Sequence, residues 1–312
     1  MAAPPSTAVR NVSPALMSLP ARRRALMLVN PNARRGTESL DPIVNRLEAG
    51  GIDVAIERFS SPGEVAADIV RRRHEADLAI VCGGDGTINA AANGVVAAGL
   101  PMGILPMGTA NDLARTLEIP TQLELAADII IAGNQRKVDL GDVNGHPFFN
   151  VATIGLGADL AMGLTAETKR RWGRLGYAIG ALKVLMQARP FSATIINREG
   201  TSQVKTYQIA AGNGRHYGGG SVIEQDASIE DGRLDLYSLE IDNVWKLALM
   251  LSAFRSGTHG AWEEVRTARC VEFDIRTKKP RPVNLDGDIV TQTPAHFRIR
   301  PGAITVFAPP AS

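Results

Sequence analysis

The residues best suited to chemistry are Gly83-Gly84-Asp85-Gly86-Thr87-Ile88-Asn89, directly after the apolar run Ala79 to Cys82. The run reads as a buried strand, and the Ala-rich segment Ile88 to Ala98 as a helix. Glycine lets a backbone approach an anion closely, and the first-turn N–H groups of a helix point outward unpaired. Strand, glycine turn and helix start together make a phosphate-binding device. Alone, the same residues also suit a tight turn that binds nothing.

Other loops carry similar chemistry. Asn30-Pro31-Asn32-Ala33-Arg34-Arg35-Gly36 follows an apolar run, where open α/β sheets bind ligands. Gly108-Thr109-Ala110-Asn111-Asp112 opens a helix, and either builds a composite site with the neighbouring loop or is only a cap made by Thr109 or Asn111. Glu230-Asp231-Gly232 is a turn whose acids and carbonyls suit a hard cation, or simply a hairpin. Asp286-Gly287-Asp288, beside Asn284, offers a general base, a metal ligand or a plain polar turn.

The elements that must position these loops follow from the patterning. Ala25 to Val29, Ile52 to Phe59, Ala79 to Cys82 and Met102 to Leu105 predict strands. Residues 38–49, a segment opened by Ser60-Ser61-Pro62, and residues 121–132 predict helices. The alternation implies a doubly wound parallel sheet over residues 24–138. Residues 139–308 change to short β-prone runs and predict a mainly antiparallel β-sandwich. Those runs are Phe148 to Ile154, Ala193 to Asn197, Val204 to Ala211, Leu234 to Leu239, Val271 to Arg276, Phe297 to Ile299 and Ala303 to Phe307. Helical inserts are expected at Ala166 to Ala188 and Val244 to Phe254. The first begins with Lys169-Arg170-Arg171 and continues apolar, which suits an anionic membrane surface or internal packing. A C-terminal tail packed back on the first domain is compatible with this pattern.

With 312 residues, 45% hydrophobic, the chain has enough apolar material for two domains. A net charge of +2 and 5% aromatics argue against nucleic acid as a partner. Cys82 and Cys270 give neither a disulfide framework nor metal-ligand spacing, so a cytoplasmic protein is expected. No apolar run reaches the ~20 residues of a membrane span. Residues 1–23, with Arg10, Arg22 and Arg23 and no acid, read as a disordered extension rather than a transit peptide.

Taken together, these motifs resemble the bacterial lipid kinases with a diacylglycerol-kinase catalytic domain, relatives of sphingosine kinases and NAD kinases. Asn30-Pro31, Gly83 to Asn89, Gly108 to Arg115, Asp139, Asp231-Gly232 and Asn284 to Asp288 come in the family's order over residues 25–308. The resemblance implies a kinase with ATP in a cleft between the domains. Asn30, Ser60, Gly83, Gly84, Asp85, Gly86, Thr87, Ile88, Asn89 and Thr109 would bind the nucleotide. Asp288, where the family carries Glu, would be the base; Asp85 would orient Mg2+ or help activate the hydroxyl, and Asp112 would support the site. Ser228, Asp231 and Arg233 would hold a structural Mg2+, in a network with Arg115 and Asp139.

The acceptor would be a membrane lipid alcohol, phosphorylated by a protein that docks transiently on the inner face of the membrane; a homodimer is compatible with this. Two rival readings stand beside it. One is an NAD kinase or another soluble-metabolite kinase; the other is a nucleotide- or lipid-binding regulator with weak catalysis.

Overall fold

A computed structural model describes residues 22–311 except 34, 37, 164–183, 185, 215, 218–220, 223–227, 243–245 and 247–264. The expected insert Val244 to Phe254 lies outside the described residues, as does most of Ala166 to Ala188.

The first half alternates strand and helix: β1 (Arg23–Val29), α1 (Asp41–Ala49), β2 (Ile52–Arg58), α2 (Pro62–Arg71), β3 (Leu78–Gly83), α3 (Asp85–Ala98), β4 (Met102–Pro106), α4 (Asp112–Thr116) and α5 (Leu123–Ala132). The strands lie parallel in the order β2-β1-β3-β4. Both β3 and β4 are buried at every position, as strands covered on both faces must be. Ser61 caps α2 by accepting the Gly63 N–H at 3.3 Å.

The second half contains β5 (Gln135–Val143), β6 (His146–Phe148), β7 (Val151–Gly155), α6 (Leu156–Gly163), β8 (Phe191–Asn197), β9 (Gly200–Thr206), β10 (Gln208–Gly212), β11 (His216–Tyr217) and β12 (Ser221–Val222). It continues with β13 (Leu234–Leu239), β14 (Val265–Cys270), β15 (Glu272–Thr277), β16 (Pro282–Leu285), β17 (Asp288–Gln292) and β18 (Ala295–Phe307). An antiparallel sheet, β14-β13-β10-β7-β16-β17, packs against β18, β15, β8 and β9. Apolar residues alternating inward from both sheets fill the space, among them Ile154, Leu236, Phe273, Leu285 and Phe297. The other face of the six-stranded sheet carries a smaller cluster, including Leu156, Tyr207, Ala210, Tyr237 and Leu239.

Four expected strand runs differ in detail. Phe148 to Ile154 is broken at Phe149-Asn150, and Val204 to Ala211 at Tyr207. Phe297 to Ile299 and Ala303 to Phe307 are one strand, β18, bent at Pro301-Gly302. Its first part pairs with β15, and its end pairs in parallel with β4 at Val306↔Met102. One sheet therefore runs through both halves of the chain. Ile304, Val306 and Phe307 lie in the first half's core.

Asp139 sits where this joint is made. The β5–β18 register skips between Arg300 and Ile304, opposite Asp139. The Asp139 carboxylate fills the gap, accepting Gly302 N–H at 2.7 Å and Gly232 N–H at 2.6 Å. Its own N–H donates to Ile229 O at 2.8 Å, and its carbonyl accepts from Asn213 Nδ2 at 3.1 Å. Three chain segments are thus tied to one residue that is only 2% exposed. Leaving such donors unpaired in the interior would cost more than the bonds gain in net stability.

Candidate active site

The loops after β1, β3 and β4 lie side by side because their strands do. Asn30 N–H donates to Cys82 O at 3.0 Å, and Met107 N–H to Gly83 O at 2.8 Å. Asn30 Nδ2 donates to Thr87 Oγ1 at 2.8 Å, while Asn30 Oδ1 accepts Asn32 N–H at 2.9 Å. The two Gly-rich turns touch backbone to backbone: a β-carbon on Gly108 would fall 2.6 Å from Gly84 Cα. One on Gly83 would fall 2.5 Å from Thr87 Oγ1. Glycine is required at both positions by contact distance.

Gly84 precedes α3 in extended conformation without a side-chain cap. The start of α3 is therefore a set of outward N–H groups, with the positive end of the helix dipole behind them. Ile88 is fully buried in the core, so only its backbone can face a ligand. Asn89 is half-buried, and its Oδ1 has no hydrogen-bond partner. Thr109 is exposed on the β4–α4 loop, and Ser60 is exposed at the end of edge strand β2.

Neither Thr109 nor Asn111 caps α4. Asn111, at φ 51°, folds back on its own loop, accepting Gly108 N–H at 2.9 Å and donating to Gly108 O at 3.2 Å. The cap comes from the neighbouring loop: Asp85 Oδ1 accepts Leu113 N–H at 3.2 Å. Burial raises the Asp85 carboxyl above the usual range; the Leu113 N–H opposes that shift and the Asp112 charge adds to it. Asp112 is itself 7% exposed.

The facing wall comes from the β16–β17 turn. Asp288 Oδ2 lies 3.4 Å from where a Gly86 β-carbon would stand. This places a carboxylate of the second half against the first turn of α3. Asp286, which sequence reasoning left as part of a polar turn, holds that turn in place. Its Oδ2 accepts Phe149 N–H at 2.6 Å, and its Oδ1 accepts Asn150 and Val151 N–H, both at 2.9 Å. Desolvation still outweighs those three donors and pushes Asp286 up to about 6, with the Asp85 charge adding to the rise. The only available signal was an Asp before Gly at a position requiring positive φ; Asp286 has φ 49° and Gly287 φ 110°.

Asn150 extends the link to the first half: its Oδ1 accepts from Thr116 Oγ1 at 3.4 Å, at the end of α4. The cleft is thus closed by a chain of contacts through Asp85, α4, Asn150, Asp286 and Asp288.

The second cluster lies apart from these loops. Asp231 Oδ1 accepts Arg233 N–H at 3.0 Å, and Ser228 Oγ accepts Glu230 N–H at 3.3 Å. Burial raises Asp231, and the neighbouring Asp139 charge adds to this. Arg115 Nε donates to Ala110 O at 2.9 Å, whereas the Asp139 carboxylate is occupied by Gly232 and Gly302. Among the described residues, no group of three His, Cys, Asp or Glu side chains is arranged to hold a metal. No helix among them is long and apolar enough to cross a membrane.

Known proteins resemble this chain in sequence and fold. The diacylglycerol kinase catalytic domain matches residues 24–143, and the YegS C-terminal NAD kinase beta sandwich-like domain matches residues 152–308. Diacylglycerol kinases of Staphylococcus aureus strains bovine RF122 / ET3-1 and Newman are each 28% identical over 295 residues, covering 92% of this chain and 93% of the relative. A solved Bacillus anthracis str. Sterne protein, provisionally named a diacylglycerol kinase, superposes with a TM-score of 0.78 at 25% identity, covering 95% of this chain and 98% of that one. A second structure from that strain gives 0.74 at 27% identity, with 92% and 98% covered. The chain belongs to the diacylglycerol kinase family of lipid kinases and is a kinase-type phosphotransferase, built as a diacylglycerol kinase catalytic domain followed by a YegS-type β-sandwich domain.

Proposed function

We propose that this chain transfers the γ-phosphoryl group of ATP to the hydroxyl of a diacylglycerol-like membrane lipid. The observation that carries the proposal is the Asp288 carboxylate standing against Gly86, at the mouth of a Gly-rich turn and helix start. A proton acceptor and an anion cradle face each other across one cleft. The nucleotide phosphates lie along Gly83–Thr87, with Asn30, Ser60 and Thr109 on the flanking loops. Asp288 accepts the hydroxyl proton as the lipid oxygen forms its bond to the γ-phosphorus and the bond to ADP breaks. Such transfer depends on positioning and charge stabilisation more than on covalent participation. Asp85 and Asp112 fix the α3–α4 side of the cleft.

Mg2+ bound with ATP would neutralise charge on the transferring group. For a structural Mg2+, the turn at Ser228, Asp231 and Arg233 fits chemically: it offers one carboxylate and backbone carbonyls, all hard oxygen donors. The mutual repulsion of Asp231 and Asp139 is the kind a dication offsets. We assign the protein to the cytoplasmic side, in transient contact with the membrane. The test is a lipid panel with labelled ATP and Mg2+: phosphorylated diacylglycerol or a related lipid alcohol is the expected product. ADP release dependent on NAD alone, or ATP binding without acceptor-dependent turnover, would overturn the proposal.

A further inference from the structure

The strand registers give the sandwich two distinct ends. At one end, β16 and β17 meet at Asp286 to Asp288, facing the cleft. At the other lie the start of β8 and the ends of β9 and β15, since Phe191 pairs with Thr206 and Ala193 with Thr277. β7 starts at Val151, which binds Asp286, and runs five residues, about 16 Å by strand rise, to Gly155 at the far end.

That far end is basic. A groove of about 500 Å3 opens on the outer face of β8, β9 and β15. Ser192, Thr194, Gln203, Lys205, Arg276 and Lys278 line it, and none of its lining residues is acidic. Lys205, Arg276 and Lys278 make no ion pair among the described residues. Elsewhere Arg24, Arg46, Arg72, Arg136, Arg266 and Arg269 each face a carboxylate. Exposed Lys279 and Arg189 adjoin the same end, as does Met186, which is 59% exposed. A chain of net charge +2 has gathered like charges where they repel one another. Such a surface is complementary to a sheet of anionic headgroups, and the attraction acts within a Debye length.

We propose that this far end of the sandwich, centred on Lys205, Arg276 and Lys278, docks on the headgroups of an anionic bilayer. The inference rests on the lipid-kinase reading for its purpose.

The test separates docking from catalysis. The full chain is sedimented with phosphatidylcholine vesicles, with and without phosphatidylglycerol, at low and high salt. Wild type is expected to bind only the anionic vesicles, and less at high salt. The combined variant Lys205→Glu, Arg276→Glu and Lys278→Glu should lose about a hundredfold in partitioning or more. A charge-matched control, Arg22→Glu, Arg71→Glu and Arg73→Glu, should keep most of it. The variant Lys205→Gln, Arg276→Gln and Lys278→Gln gives a milder loss and guards against misfolding, with thermal unfolding as the check. Phosphorylation of a short-chain lipid in neutral detergent micelles should be unchanged in the groove variants. Equal binding by wild type and groove variants, or wild-type binding indifferent to phosphatidylglycerol, overturns the proposal. So does complete competition by low concentrations of inorganic phosphate, which marks a free-anion site. Vesicle binding without lipid turnover in any format would leave docking standing and sink the kinase reading instead.

Discussion

Asp288 Oδ2 and Gly86 meet across the cleft, with only 3.4 Å between that oxygen and the position a Gly86 β-carbon would take. The contact joins the second half's β16–β17 turn to the first turn of α3. A β-carbon at that distance makes an ordinary van der Waals contact, so Gly86→Ala should leave both the fold and Asp288 in place. Turnover should change little. Gly83→Ala meets the Thr87 side chain at 2.5 Å and should destabilise the protein by about 1–3 kcal/mol. Thermal unfolding with steady-state kinetics on both variants separates the two effects. Equal loss of stability in both would refute the distinction.

Removing the proton acceptor while keeping its shape tests the same contact chemically. Asp288→Asn should lower kcat by about a hundredfold or more with little change in KM for ATP, because general-base contributions appear in the transition state. A near-wild-type kcat would remove Asp288 as the base. Asp85→Asn should also lower kcat while keeping an acceptor oxygen for the Leu113 N–H, whereas Asp85→Ala removes the cap on α4 as well and should cost about 1 kcal/mol of stability.

The parts of this site that the sequence reveals are those set by local rules. The phosphate turn follows from glycines between an apolar strand and a helix, and α2 from Ser61 before Pro62. What local rules miss is set by distant partners. Asp85 caps a helix on another loop, while the capping residues that local rules offer there, Thr109 and Asn111, lie next to that helix in sequence. Asp286 reads as a turn residue because its three donors lie some 135 positions earlier in the chain. β18 reads as two strands because Pro301-Gly302 interrupts its pattern; only pairing with β5 makes it continuous. Asp139 entered through family resemblance, and its role in bridging the β18 bend depends on Gly302 far along the chain.

That joint is open to mutation. Asp139→Ala leaves the Gly232 and Gly302 N–H groups without their acceptor in the interior and should cost about 2–5 kcal/mol. Asp139→Asn keeps one acceptor oxygen and should cost less. Urea unfolding of both variants checks the order. If Asp139→Ala unfolds at the wild-type midpoint, the carboxylate does not hold the joint.

Asp286 gives the protein a pH dependence whose sign is fixed by its environment. An aspartate ordinarily titrates near 3.8; here it is pushed up to about 6. The folded state therefore holds this proton more tightly than the unfolded chain does. Between about pH 6 and pH 4 the native state binds more protons, so stability from this group rises as pH falls and is lost as pH climbs through 6. The full difference is worth up to about 3 kcal/mol. Asp231 and Asp235, also raised by burial, add to the same trend. The exposed Asp77 and Asp128, held low by Arg24 and Arg46, oppose it below their ordinary range. The contribution of Asp286 alone is isolated by comparison with Asp286→Asn, which cannot ionise. The difference in unfolding free energy between wild type and this variant should shift in favour of wild type as pH is lowered from 7 to 5. A difference that stays constant over that range would mean Asp286 is not held as a desolvated carboxyl. Catalysis gives an independent reading: if the three N–H bonds to Asp286 set the position of Asp288, kcat should fall in Asp286→Ala more than in Asp286→Asn. KM for ATP should be little affected in either, because the nucleotide loops belong to the other half of the cleft.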